Sequence, residues 1–153
     1  MTNLCCKVLK ALEGKSLVTA ESCTGGGIGA ALTAVAGSSA VYKGGVISYT
    51  NDVKRDLLGV PQAYLDQFGA VSAPVAEAMA LGARQTLQAD IAVSVTGLAG
   101  PGGDEYGNPV GTVFVGYSDS KITMSVQHHF SGDRDTVRGK AIESALRLIL
   151  QFN

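Results

Sequence analysis

Apolar residues recur at Leu4, Val8, Leu9 and Leu12, the spacing of one helical face, and Glu13-Gly14-Lys15 closes that segment with a glycine stop. The pattern predicts a first helix over 4–12. Leu17 to Ala20 is a short β-prone stretch, a polar and glycine-rich turn follows, and Ile28 to Val35 is an apolar helical run ended by Gly37-Ser38-Ser39. Ser22 and Thr24 are the natural N-cap side chains for that helix. From Val41 to Thr50, β-branched and aromatic residues mix with Gly44-Gly45, predicting a strand with a bulge or a close backbone approach. Asn51-Asp52 caps the next helix, which carries Lys54.

Pro61 fits the first turn of another short helix, and Ser72-Ala73-Pro74 with Glu77 opens a long alanine-rich one ending near Gln88. Ile91 to Val95 is nearly continuous in apolar residues, as in strands covered on both faces, whereas Gly97 to Pro109 is rich in glycine, proline and polar residues and reads as a functional or disordered loop. Val110 to Tyr117 and Ile122 to Phe130 predict a hairpin turning at Ser118-Asp119-Ser120. The final helix, Asp133 to Phe152, places Val137, Ala141, Ala145, Leu148 and Phe152 on one stripe. With no repeat and no linker, these elements predict one α/β domain over 1–153, a three-layer α/β/α sandwich around a mixed sheet.

Composition narrows the function classes. A chain of 153 residues with 46% hydrophobic residues can bury a real core, and a net charge of −1 gives no electrostatic reason to expect a nucleic-acid partner or an anionic membrane surface. Three cysteines, adjacent at Cys5-Cys6 and single at Cys23, form neither a CxxC pair nor a disulfide framework. Lysines and Glu13 interrupt the N-terminal apolar residues, and no later run is long enough to span a bilayer. A cytoplasmic protein is expected. No cofactor is implied, and no His/Cys/Asp cluster has metal-ligand spacing.

Candidate chemistry concentrates at Thr19-Ala20-Glu21-Ser22-Cys23-Thr24-Gly25-Gly26. A serine between a strand end and a helix start lies where backbone N–H groups lack partners, so the amides from Cys23 to Gly26 can receive a developing oxyanion. The same residues serve equally as helix caps, and the local pattern does not separate the two readings. A serine nucleophile needs a base. The adjacent pair His128-His129 sits on a predicted strand, pointing to opposite faces with no nearby acid, and is read as structural. Lysines remain as bases, in a Ser-Lys arrangement that requires a lowered lysine pKa, and spacing does not choose among them. Cys23 is a rival nucleophile ranked below Ser22. The fragment Gly25, Gly27, Ala30 matches a dinucleotide fingerprint too loosely to carry weight.

The runs Ala20–Gly26, Gly44-Gly45-Val46-Ile47-Ser48-Tyr49-Thr50-Asn51, Lys54 with Leu58-Gly59-Val60, Gly69–Ser72, Thr96–Gly103 and Pro109–Val113 together resemble the CinA C-terminal domain family almost end to end. That resemblance implies nicotinamide-nucleotide amidase activity, which converts nicotinamide mononucleotide to nicotinic acid mononucleotide and ammonia in pyridine-nucleotide salvage. It implies Ser22 as nucleophile, Lys54 as general base and Tyr49 as a supporting hydroxyl. Arg138 is the expected extra cation, lowering the Lys54 pKa or holding the substrate phosphate, with Arg134 one turn earlier as the competing choice. Cys23, Thr24, Gly25 and Gly26 are expected to contact substrate, as are Thr96, Gly97, Gly100 and Gly102 of the glycine-rich loop. Asp104-Glu105-Tyr106 departs from the small residue expected after Gly102-Gly103. Longer family members carry a further N-terminal domain, and the present chain starts just before the C-terminal one.

Two other readings stay beside the amidase: a nucleotide-binding or regulatory module without turnover, and an amidohydrolase acting on another amide. The alanine-rich helix and modest charge suggest a homodimer or higher homo-oligomer.

Overall fold

The β-prone stretch at 17–20 and the apolar run at 91–95 become the centre of the molecule. In the computed structural model, which describes residues 1–153, β1 (Leu17–Glu21) is buried at all positions and β3 (Ile91–Gly97) at all but its last. Strands β2 (Tyr42–Ile47), β4 (Thr112–Ser118) and β5 (Thr123–His129) complete one sheet in the order β2-β1-β3-β4-β5. β1 runs parallel to β2 and β3, while β4 and β5 add antiparallel, so the sheet is mixed. The register passes from Leu17 opposite Tyr42 to Val18 opposite Gly44, which makes Lys43 the extra residue of the bulge foreseen near Gly44-Gly45.

Helices cover both faces. On one side α1 (Thr2–Ala11), α2 (Gly27–Thr33) and α6 (Arg134–Phe152) bring Leu9, Ile28, Leu32, Val137, Leu146 and Ile149 against Leu17, Val93, Val95, Val113 and Val115 of the sheet. On the other, α3 (Asn51–Leu58), α4 (Gln62–Phe68) and α5 (Ala73–Thr86) bring Leu58, Leu65, Val75, Met79 and Ala83 against Val18, Ala20 and Ala92. Successive β1 residues therefore serve opposite cores. Truncating a fully buried side chain such as Leu146 to Ala costs about 2–5 kcal/mol. Small residues in α5 allow close helix contact: a Cβ on Gly82 would collide with the Leu58 carbonyl.

The three-layer α/β/α arrangement expected from the sequence is present, with differences at element ends. Neither Ser22 nor Thr24 caps α2; its N-cap is Gly26, at φ 98 and with no side-chain cap. Thr50 is the N-cap of α3, and Asn51 is already helical. β4 starts at Thr112 rather than Val110, because Gly111 has φ 93 and the Thr112 amide closes a turn onto the Pro109 carbonyl. No helix is long and apolar enough to cross a membrane.

The topology selects one end of the sheet. From β1 the chain crosses over one face through α2 to reach β2, then over the other face through α3, α4 and α5 to reach β3. β1 thus lies where successive crossovers diverge to opposite faces, and the crevice beyond the carboxyl ends of such strands is where open α/β sheets receive ligands.

Candidate active site

Ser22 is the first residue beyond β1, and its amide donates to the Val95 carbonyl of β3 at 2.9 Å, so the turn stays in sheet register as it leaves the strand. Lys54 approaches from α3, four residues before Leu58 and on the same buried face. Its side chain is 1% exposed. Lys54 Nζ lies 3.0 Å from Ser22 Oγ, 2.8 Å from the Ser48 carbonyl and 3.1 Å from the Tyr49 carbonyl.

Burial pushes the Lys54 ammonium down from 10.5 to about 8. The shift corresponds to about 3 kcal/mol of penalty on the charged form, and at neutral pH a minor but usable fraction is the free amine. That amine has two N–H donors and one lone pair. With the donors directed to the Ser48 and Tyr49 carbonyls, the lone pair is left for the Ser22 hydroxyl. The arrangement can take a proton from Ser22 Oγ. Of the two causes open for the lowered pKa, burial or a nearby cation, desolvation is the one at work, with no contribution from an arginine charge.

The turn itself is organised by Glu21, to which the sequence reading gave no role. This 2% exposed carboxylate accepts from Thr24 Oγ1 at 2.7 Å, from the Ile28 amide at 2.8 Å and from the Gly29 amide at 3.1 Å. The amide of Cys23 donates to no other residue, leaving an N–H group beside Ser22. The Cys23 thiol lines the same cavity, but burial pushes it up to about 11, so it is protonated at neutral pH and a weaker nucleophile than its position suggests.

A cavity of about 310 Å³ opens above this pair, lined by Ser22, Cys23, Lys54, Tyr49, Thr50 and Asn51 on one side and by Thr96, Gly97, Gly100, Gly102 and Arg134 on the other. Four expected contact residues of the glycine-rich loop and Cys23 therefore reach it. Thr24, Gly25 and Gly26 do not line it; Thr24 is turned inward to Glu21, and the glycines shape the turn at φ 58 and φ 98. Tyr49 contributes differently from expectation. Its carbonyl, not its hydroxyl, meets Lys54, while the hydroxyl accepts from Arg134 at 3.2 Å at the rim.

The arginine assignment also reverses. Arg138 does not face the cavity; its guanidinium donates to the Cys23 carbonyl at 3.0 Å and the Thr24 carbonyl at 3.2 Å, bracing the turn from behind. Arg134 is the arginine at the cavity, spanning the opening from Tyr49 to the Gly100 carbonyl at 2.7 Å. One helical turn separates a rim cation from a structural one. His128 and His129 lie on the far edge strand, with His128 stacked on Phe130 and held low by burial, as a structural pair would be.

The long loop is ordered by the residues that departed from the family pattern. Asp104 Oδ1 accepts from the Tyr106 and Asn108 amides at 3.0 and 2.9 Å, and Asn108 ties the loop to the Val71 carbonyl at 3.1 Å. The Tyr106 hydroxyl donates to carbonyls of Leu65 and Asp66, and its ring lies over Gly69, where any Cβ would clash. Asp104 and Tyr106 thus hold the loop in place, away from the Ser22 centre.

Across the whole length of the chain, residues 1–153 match the CinA C-terminal domain. The chain belongs to that family. CinA-like proteins of Rippkaea orientalis and Synechococcus sp. (strain CC9311) are 52% and 63% identical to it over 124 and 110 residues, or 80% and 71% of this chain. The matched parts are 30% and 26% of those proteins, so the chain spans about a third or less of these CinA-like relatives. Among solved structures, the competence-damaged protein (CinA) superfamily protein of Escherichia coli superposes with a TM-score of 0.97 at 36% identity, covering 99% of this chain and 90% of that one. The competence damage-inducible protein A of Klebsiella pneumoniae gives 0.95 at 39% identity, over 98% of this chain and 94% of that one.

Besides Glu21, two residues join the site that are absent from the expected set: Ser48, whose carbonyl orients Lys54, and Asn51, which lines the cavity. Ser48 and Tyr49 act through main-chain oxygens, which any residue supplies, so no side-chain pattern signals them.

Proposed function

We propose that this CinA-family chain is a serine amidase that hydrolyses the carboxamide of nicotinamide mononucleotide to nicotinic acid mononucleotide and ammonia. The observation that carries the amidase reading is the buried Lys54 amine 3.0 Å from Ser22 Oγ, with two carbonyls to occupy both of its hydrogens. The choice of amide comes from the family resemblance.

In this mechanism Ser22 Oγ attacks the carboxamide carbon as Lys54 Nζ takes its proton, forming a C–O bond and a tetrahedral oxyanion. The free amide of Cys23 is the donor for that oxygen, and one such donor is commonly worth 10²–10³ in rate. Lys54 then returns the proton to the nitrogen as the C–N bond breaks, and ammonia leaves an acyl-Ser22 ester. Water attacks the ester with Lys54 again as base, and the proton passes back to Ser22 Oγ as the acid departs. Arg134 at the rim is the cation for the substrate phosphate, releasing Tyr49 and Gly100 as it forms a charge-assisted pair.

The test is ammonia release from nicotinamide mononucleotide by purified protein, without added metal, beside the Ser22→Ala variant. Turnover by the wild type and its loss in the variant support the reading. Tight nucleotide binding with no product would replace it with a regulatory module, and turnover of other carboxamides in preference would redirect the substrate.

A further inference from the structure

A carboxylate shielded from water normally keeps a cation beside it, because desolvating an unpaired charge is expensive. Glu21 is 2% exposed and takes part in no salt bridge. Its partners are two main-chain amides at the start of α2 and the buried Thr24 hydroxyl, so the positive end of the helix and three hydrogen bonds stand in for a counter-ion. The amides that a substrate oxyanion would otherwise find at this helix terminus are therefore occupied from within.

We infer that Glu21 is the positioning residue of the oxyanion site: by consuming the Ile28 and Gly29 amides and pinning Thr24 through its hydroxyl, it fixes the direction of the preceding Cys23 amide, the donor left beside Ser22. This inference rests on the amidase reading above and adds to it a residue that need not touch the substrate. The main chain of Glu21 serves the other half of the site, since its carbonyl accepts from the Ser48 amide at 2.8 Å and the Ser48 carbonyl in turn holds Lys54 Nζ. One residue thus registers the base against the nucleophile with its backbone and the oxyanion donor with its side chain. The charge matters as well as the shape. A glutamine has one acceptor oxygen, and its NH₂ would face an N–H or O–H donor that the second carboxylate oxygen now accepts.

The experiment measures the second-order rate at which a fluorophosphonate phosphonylates Ser22, a reaction that uses the nucleophile and oxyanion donor and needs no knowledge of the natural amide. Glu21→Gln is expected to slow labelling about 100-fold, in line with a displaced oxyanion donor. Thr24→Val, which preserves shape but removes the hydroxyl, is expected to slow it roughly tenfold, with Thr24→Ser restoring the wild-type rate. In amide turnover the same variants are expected to lower kcat with KM nearly unchanged, a split that general loosening of the pocket would not give. Thermal unfolding on each variant keeps loss of fold apart from loss of rate, and the Thr24 pair decides the matter should Glu21→Gln not fold. Wild-type labelling rates in folded Glu21→Gln or in Thr24→Val would overturn the role of Glu21 while sparing Ser22. A wild type that is not labelled at Ser22 would overturn the amidase reading and this inference with it.

Discussion

Two glycine-rich connections leave neighbouring parallel strands at the same end of the sheet, and they are built in opposite ways. The turn after β1 is short, and charged side chains hold it from within: Glu21 inside the α2 terminus, Lys54 under Ser22, Arg138 against the Cys23 and Thr24 carbonyls. The loop after β3 is long, and it is held from outside by Asp104, Asn108 and Tyr106, which are half-buried or exposed. Burial fixes these groups tightly and lowers an amine's pKa until part of it is free base near neutral pH. Surface hydrogen bonds shape a wall and contribute little chemistry. Under the proposed mechanism, the first connection carries the reaction and the second surrounds the substrate.

Substitutions should respect that division. The largest effect is expected for Ser22→Ala and Lys54→Ala, each lowering kcat roughly 10⁴-fold or more, with the double variant no worse than either because the two act as a unit. Steady-state kinetics on the three proteins checks this, and additive losses would separate the pair. Next, Arg134→Ala is expected to raise KM about tenfold with a modest change in kcat, as removal of a rim contact should. Arg138→Ala should instead lower stability by about 1–3 kcal/mol, by stranding the buried Cys23 carbonyl and leaving that of Thr24 with the Gly27 amide alone. Equal kinetic behaviour of the two arginines would erase the distinction between rim and brace.

Lys54 also has a stability signature. Its folded pKa of about 8 lies below the unfolded 10.5, so the unfolded chain binds more protons between these values and stability rises with pH across that window. Below about 8 the full penalty applies. Denaturant unfolding of the wild type, referenced to Lys54→Met at each pH, should gain about 3 kcal/mol from neutral pH to beyond 10.5. A constant difference would mean that the amine is not held neutral by burial. The smallest effect is expected in the outer loop, where Tyr106→Phe removes a hydroxyl from two carbonyls and should change stability by under about 1 kcal/mol, leaving kcat intact.

Much of this was legible in the chain. The β-prone stretch at 17–20 and the apolar run at 91–95, read as a strand covered on both faces, both became central strands, and the stripe from Val137 to Phe152 became a packed helix face. Ser22 and Lys54 were accessible because the family resemblance carried them and the residue types fit a Ser-Lys pair. What escaped was direction. Arg134 and Arg138 share a helix and a residue type, and the geometry of the turn alone decides which faces the cavity. Tyr49 drew attention through its hydroxyl, yet its main-chain oxygen meets the lysine. Glu21 was hidden because a lone acid at a strand end resembles any surface carboxylate until three donors are seen converging on it.

The central claim is that a buried, neutral Lys54 amine activates Ser22, and the dependence of kcat/KM on pH tests it most directly. With nicotinamide mononucleotide as substrate, kcat/KM should rise through a single ionisation with a midpoint of about 8 and level off above it, since this parameter reports the free enzyme's base. A profile flat through that region, or one still climbing at the ordinary lysine value of 10.5, would contradict the account.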